Sequence, residues 1–281
     1  MATLASPWDL HCHSTASDGL LAPEAVVRRA QGNGVTMLAL TDHDDLDGLA
    51  AAEKTAGEVG LRLINGVEIS IQWESTSIHI VGLGFDRQEA RLNQGLAAIR
   101  SGRVARAQRM AEALDKIGIH GVLEGAMKYA ANPSLISRAH FARYLVEIGI
   151  CKDVHAVFES YLTPGKPGYV EHQWASLEDA VTWINGAGGV AVVAHPGRYR
   201  ISNVEMRRVL GQFKDVGGSG VEVVSGSHTP DQILQYARYA RQYGFLASLG
   251  SDFHGPEESY VDLGRIGPLP ADLIPVWTWF D

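Results

Sequence analysis

Cysteine is nearly missing from this chain. Its 281 residues include two, Cys12 and Cys151. Two are too few for a disulfide framework, and without a CxxC pair a thiolate-held structural zinc is excluded. Long apolar runs are missing as well. No stretch approaches the roughly 20 apolar residues that cross a bilayer. The start, MATLASPWDLHCHS, has neither the basic residues nor the apolar run of a secretory signal. These absences predict a cytoplasmic protein with no membrane partner, and nothing points to an obligate protein partner. Positive charge is scarce: 24 Lys and Arg against 32 Asp and Glu give a net charge of -8. That balance argues against a whole-surface nucleic-acid binder and against duplex DNA as a partner. What is present is enough for a core. Hydrophobic residues make up 46% and charged residues 20%, which suits one large domain or a domain with a sizeable insert.

Seven short apolar, mostly β-branched runs read as strands, near residues 8–12, 36–42, 62–68, 77–84, 190–194, 220–225 and 245–250. Helical patterns lie between several of them, at 23–34, 46–60, 177–186, 203–216 and 230–244. Strands alternating with helices imply an α/β fold with a parallel sheet, open or closed into a barrel. The chain between the fourth and fifth strands reads mostly as helix: a long Arg- and Ala-rich run at 92–118, then 121–130, 134–149 and 152–162, ending in the turn-rich TPGKPGYV at 163–170. The expected organisation is a barrel formed by residues 1–91 and 171–281, carrying a helical insert at 92–170. The insert holds ten Lys and Arg against six Asp and Glu, so it is +4 and the remainder is -12. The acidic part suits cations and the basic part an anion.

Four segments concentrate metal-ligating groups. In DLHCHSTASDG (9–19), His11 and His13 are two apart and share a strand face, while Cys12 points away. TDHDD (41–45) puts His43 just past a strand, with Asp44 or Asp45 available to cap the helix that follows. AHPG (194–197) puts His195 at another strand end, and GSDFHG (250–255) offers Asp252 and His254. Glu68 in LINGVEIS and His79 in SIHIVGLG are charge-capable groups inside apolar runs, where an unpaired charge is costly. In parallel α/β folds functional groups gather at the C-terminal strand ends, and here most ends supply His, Asp or Glu. Imidazole and carboxylate together suit Mn, Fe, Zn or similar divalent ions.

This ordered set of HxH, D-H, mid-chain Glu and His, AHPG and SDFHG resembles the polymerase and histidinol phosphatase (PHP) family of the amidohydrolase superfamily. The resemblance covers residues 8–90 and 185–265. It implies a distorted (β/α)7 barrel with two or three divalent ions, Mn2+ first and Fe2+ or Zn2+ as alternatives. It also implies phosphoesterase chemistry in which a hydroxide bridging two ions attacks phosphorus. Carried over by position, His11, His13, Glu68 and Asp252 would hold one ion. Glu68, His79 and His195 would hold a second, and Asp18, His43 and His254 a third. SRAHFARYLVE (137–147) and TPGKPGYV (163–170) resemble a narrower branch, the nucleoside 3',5'-bisphosphate phosphatases and 5'-to-3' exoribonucleases acting on short 5'-phosphorylated RNA. Histidinol-phosphate phosphatase and a non-catalytic, metal-stabilised PHP module are the competing readings.

The residues give this a physical basis. Three ligand carboxylates, Asp18, Glu68 and Asp252, leave a site with two or more divalent ions cationic, so it attracts a phosphate dianion. Metal binding lowers the pKa of water from ~15.7 toward ~7. Catalytic roles fall to His195, Asp252 and His254, with protonation of the leaving oxygen open between the two histidines and water. A substrate with a second phosphate needs a second cationic site. Arg138 can grip it bidentately and Lys166 can add a point charge, with His140 and Tyr169 beside them. A surface salt bridge is the competing role for the two cations, and packing for the other two. Arg100, Arg103, Arg106 and Arg109 recur every three residues; a solvated helix face is preferred over an RNA track. His120, His155, His172 and His228 match no motif, and Trp73, Trp174, Trp183, Trp277 and Trp279 read as packing groups, as does the C-terminal LIPVWTWFD.

Overall fold

The computed structural model describes residues 6–171 and 174–280. Seven strands form one sheet in sequence order: β1 (Trp8–Asp9), β2 (Met37–Leu40), β3 (Arg62–Trp73), β4 (Thr76–Leu83), β5 (Val190–Val193), β6 (Gly220–Ser225) and β7 (Leu246–Gly250). The last strand lies against the first. Leu10 N donates to Leu249 O at 3.1 Å and His13 N to Phe253 O at 2.8 Å, which nearly closes the sheet into a barrel. The sheet is not all parallel as expected. β4 runs antiparallel to both β3 and β5. Only Glu74 and Ser75 separate β3 from β4, which is long enough for a hairpin and far too short for a crossover helix. β3 extends to Trp73, past the residue 68 read from sequence, and so absorbs the gap that hid the hairpin.

Five helices cover the barrel: α1 (Pro23–Gly32), α2 (Gly48–Val59), and, further on, α8 (Leu177–Gly186), α9 (Asn203–Asp215) and α10 (Pro230–Tyr243). Their ends follow local chemistry. Ser202 with Glu205, and Thr229 with Gln232, form capping boxes at the starts of α9 and α10. α2 and α10 stop at Gly60 and Gly244, both left-handed. α9 buries Met206, Val209, Leu210 and Phe213 on one stripe against the sheet, each burial worth roughly 1.5–3 kcal/mol. The barrel interior below the site is filled by Leu10, Ala39, Ile64, Val81 and Val192, and plugged by Val276 of the C-terminal segment. Trp277 stacks on Trp8 with centroids 4.3 Å apart. Trp73 donates its indole N–H to Gln212, and Trp183 fits against Gly95, where a Cβ would lie 2.6 Å from the ring.

Between β4 and β5 lie α3 (Ala90–Ser101), α4 (Arg103–Asp115), α5 (Val122–Met127), α6 (Arg138–Glu147) and α7 (Val154–Val157), which runs into a π-helical turn at Phe158–Leu162. The run expected as one helix over 92–118 breaks at Gly102. The break has a packing consequence. Leu92, Leu96 and Ile99 of α3 join the barrel's core, whereas Ala107, Met110 and Leu114 of α4 join a separate core with Phe141, Leu145 and Leu162. Among the described residues, no helix is long and apolar enough to cross a membrane.

Candidate metal centre

The ligand-bearing segments leave the strands at one end of the barrel. Among the described residues, three of the four non-glycines with positive φ sit there: Asp44 (52°), His195 (26°) and Asp252 (55°). Such backbone is unfavourable for L residues and persists only where the surroundings fix it. His11 and His13 share a face, as their spacing predicts, and Cys12 between them points into the core, its thiol donating to Ala39 O at 3.2 Å.

All nine sequence-predicted ligands converge. Their atoms form overlapping groups: His11, His13 and Glu68; His43, Glu68 and His79; His11, His195 and Asp252; and Asp18, His13, His43 and His254, with the atoms of each group within 4.8 Å of one another. Glu68 is the hub. Its Oε1 lies 2.8 Å from His195 Nε2, 2.9 Å from His79 Nδ1 and 3.4 Å from His11 Nε2. Its Oε2 lies 3.0 Å from His43 Nδ1 and 3.3 Å from His13 Nε2. Asp252 Oδ1 faces His13 Nε2 at 3.4 Å and His11 Nε2 at 3.6 Å, and Asp18 Oδ1 faces His254 Nε2 at 3.5 Å. Glu68 Oε2, Asp18 Oδ1 and Asp252 Oδ1 are buried with no hydrogen-bond donor. Buried carboxylate oxygens without donors are costly, and their convergence with imidazole nitrogens suits divalent cations.

The protein groups alone hold this charge in a polarised arrangement. Burial would strip the proton from His11, but the Glu222 and Glu68 carboxylates hold it well above the ordinary histidine range. Burial is likewise outweighed at His13, which Asp252 and Glu68 push up to about 10. Burial opposes ionisation of Glu68, yet the His79, His43 and His11 rings hold it well below the carboxylate range. Burial wins at His79 and His254, which fall to about 4.

Several further groups shape the site, among them Glu222, Asp42 and Arg198, which the sequence reading passed over. Glu222 on β6 is 1% exposed and contacts His11 and the His195 backbone. Its signal was a lone carboxylate in the apolar VEVV. Asp42 accepts from Ser14 N (2.8 Å), Ser14 Oγ (2.7 Å) and Ser17 Oγ (2.6 Å), and so fixes the loop that carries Asp18. Arg198 donates to Asp252 Oδ2. Asp44 does not cap α2. It accepts from Ser70 N at 2.8 Å and from Arg103, while Asp45 Oδ1 accepts from Asp47 N ahead of the helix. His228, which matched no motif, accepts from Gly197 N at 3.0 Å and so braces the turn after His195. His120 pairs with Asp115 and His155 lies near Glu159 on the surface. His172 lies outside the described residues.

The solvated arginine stripe is corrected at Arg103 and Arg106, whereas Arg109 is exposed as expected. Arg103 and Arg106 are buried, with their guanidiniums over the Trp174 ring at 5.0 and 5.4 Å. Arg106 Nε donates to Val170 O, and Arg100 Nη1 to Asp44 O. Around them lie the residues considered for a second anion site. Arg138 donates to Leu162 O at 3.2 Å and lies over the Phe158 ring at 5.6 Å. Burial lowers its pKa; Tyr169 opposes this, and nearby Arg103 and Arg198 lower it further. Burial, Arg138 and Arg103 hold Arg106 down at about 9. Lys166 is exposed on the 163–168 turn. His140 is 1% exposed, and its Nδ1 accepts from Ser137 N at 3.0 Å as part of the α6 cap. The same helix start reaches the metal donors: Ser137 Oγ donates to Asp18 Oδ2 at 3.2 Å and Arg143 Nη2 to Asp18 O at 2.5 Å.

A seven-stranded α/β barrel with His, Asp and Glu donors gathered at one end is a barrel built to hold divalent metal. More specifically, the chain belongs to the PHP domain family, which matches residues 9–184. It is 51% identical over 269 residues to a 3',5'-nucleoside bisphosphate phosphatase of Chromobacterium violaceum, covering 96% of this chain and 94% of that protein. It is 44% identical over 272 residues to the 5'-3' exoribonuclease Rnm of Escherichia coli, covering 96% and 92%. Among solved structures, an amidohydrolase from Chromobacterium violaceum superposes with a TM-score of 0.95 at 50% identity, over 97% of this chain and 95% of that one. A metal-dependent phosphoesterase from Bifidobacterium adolescentis gives 0.80 at 28% identity, over 95% and 92%.

Proposed function

We propose that this chain is a divalent-metal-dependent phosphoesterase that removes the 3'-phosphate from nucleoside 3',5'-bisphosphates and also trims short 5'-phosphorylated RNA in the 5'-to-3' direction. What supports the reading is a group of guanidinium side chains near the metal donors, suited to a second anion. Arg138 and Arg106 lie within electrostatic reach of each other and of Arg103, Arg138 also of Arg198, and among the described residues the bonds of the first two go to carbonyl oxygens and aromatic rings, not to carboxylates. Clustered guanidinium groups repel one another, and a phosphate dianion relieves that repulsion. The names of the relatives, which the chain matches over nearly their full length, support the same substrate class.

His11, His13, Glu68 and Asp252 would hold one ion, Glu68, His79 and His195 a second, and Asp18, His43 and His254 a third, with Mn2+ the favoured metal. When bound, these ions supply Lewis-acid stabilisation of the phosphoryl oxygens and an activated water nucleophile. The chain's own residues do the rest. His195 Nε2 and His79 Nδ1 converge on Glu68 Oε1, and His254 Nδ1 donates to the Asp252 carbonyl at 3.0 Å, which leaves His254 Nε2 facing Asp18 as its ligand nitrogen. Arg198 stays beside Asp252, and Arg138, with Tyr169 within its electrostatic reach and Lys166 on the exposed 163–168 turn, takes the 5'-phosphate. His140 holds the cap, residues 92–170, in place over the site. The two cysteines are free, which suits a reducing cytoplasm.

The test is phosphate release by Mn-loaded protein from adenosine 3',5'-bisphosphate, adenosine 3'-monophosphate, adenosine 5'-monophosphate and histidinol phosphate. Release from the bisphosphate should exceed the others by at least tenfold. Equal turnover of the 3'-monophosphate would remove the second anion site, and preferred turnover of histidinol phosphate would replace the assignment.

A further inference from the structure

Glu222 belongs to none of the ligand sets, yet both of its carboxylate oxygens are anchored on residues that do. Its Oε1 lies 2.6 Å from His11 Nδ1, and its Oε2 accepts from His195 N at 2.5 Å. His11 is fully buried and Glu222 is 1% exposed. The carboxylate therefore touches the ring of one metal ligand and the backbone of another, on two strands that are not neighbours in the sheet: His11 follows β1 and His195 follows β5. The turn after His195 is strained, with φ of 26° at that residue, so a fixed partner for its amide matters.

We propose that Glu222 is a positioning residue that fixes His11 as the tautomer with hydrogen on Nδ1. This leaves Nε2, the atom facing Glu68 and Asp252, as the ligand nitrogen, and it holds the His195 turn so that Nε2 of that ring meets Glu68. The inference rests on the metal-centre reading but not on the choice of substrate. A glutamine at this position cannot serve both partners. If its oxygen keeps the His195 amide, its NH2 faces His11 Nδ1 and drives the ring hydrogen onto Nε2, blocking coordination. If it flips, NH2 meets N–H at His195. Carboxylate partners of metal-bound histidine are worth about 10–100-fold in metal affinity.

Mn2+ binding to protein freed of metal, read as free Mn2+ by electron paramagnetic resonance, tests this without reference to turnover. Glu222→Gln should lower affinity 10–100-fold at the sites served by His11 and His195. It should leave the group of Asp18, His43 and His254, which Glu222 does not touch, still binding. Affinity within twofold of the parent at all sites would overturn the proposal. A second measurement guards against a variant that does not fold. In Zn-loaded parent protein with 15N-labelled histidine, the His11 ring hydrogen should appear on Nδ1, and its appearance on Nε2 would overturn the proposal. Failure of the bisphosphatase assay alone would leave both readouts intact, so the two readings fail separately.

Discussion

Replacing Arg103 by methionine tests how the insert is tied to the barrel. Arg103 is 4% exposed, and its guanidinium meets the Asp44 carboxylate, which is 0% exposed. Removing one partner of such a pair leaves a buried charge and costs about 3–5 kcal/mol. Asp44 would keep its bonds from Ser70 N (2.8 Å) and Ser70 Oγ (3.2 Å), which places the loss near the lower end. The contact of Arg103 with the Trp174 ring adds about 0.5–2 kcal/mol. The expected total is about 4 kcal/mol, or a fall in Tm of roughly 8–16 °C at about 2–4 °C per kcal/mol. The assay is urea denaturation in EDTA at pH 7.5, followed by circular dichroism and tryptophan fluorescence. The double variant Arg103→Met, Asp44→Asn removes the unpaired charge and should recover at least about 2 kcal/mol. A single variant within about 1 kcal/mol of the parent would refute the reasoning, because the charge would then not be buried in solution.

Arg138→Ala should lower kcat/KM for adenosine 3',5'-bisphosphate about 10–100-fold, the equivalent of one charge-assisted contact of about 1.5–3 kcal/mol, and barely change that for a 3'-monophosphate; equal losses would place Arg138 elsewhere. Burial holds His140 neutral down to about 4, whereas an unfolded histidine titrates near ~6.5. The unfolded chain therefore binds the extra proton in that window, and stability is lost as pH falls from about 6.5 toward 4, by about 3 kcal/mol. His140→Gln keeps an acceptor for Ser137 N, and denaturation at pH 7 and 5 should show a smaller loss than in the parent; an undiminished loss would assign the effect to other groups. Because His11 and His13 hold protons that coordination must displace, Mn2+ affinity should fall by up to about 100-fold per pH unit on acidification. Affinity that is constant from pH 8 to 6 would contradict those protonation states.

How much was legible before the fold was known follows the range of the forces involved. The seven strands and most helix ends were readable because alternation, Pro at a first turn and Gly at a last turn are local. Gly102 was legible in principle but was passed over within an Ala- and Arg-rich run. The reversal of β4 was hidden because β3 runs five residues past its apolar signal, leaving only Glu74 and Ser75 for the turn. The fate of Arg103 and Arg106 could not be read at all, since their spacing alone is that of a helix face and their partners, Asp44, Val170 and Trp174, lie far along the chain.

By itself the sequence determined the donors: imidazoles and carboxylates at strand ends, in an order that fixes both their chemistry and the barrel that carries them. Tertiary structure alone decided how they are held. Glu222 reaches His11 across 211 positions of sequence, and Ser137 reaches Asp18 across 119. Side-chain identity is written residue by residue, whereas orientation and burial depend on which distant groups closure of the barrel and docking of the insert bring within hydrogen-bond range.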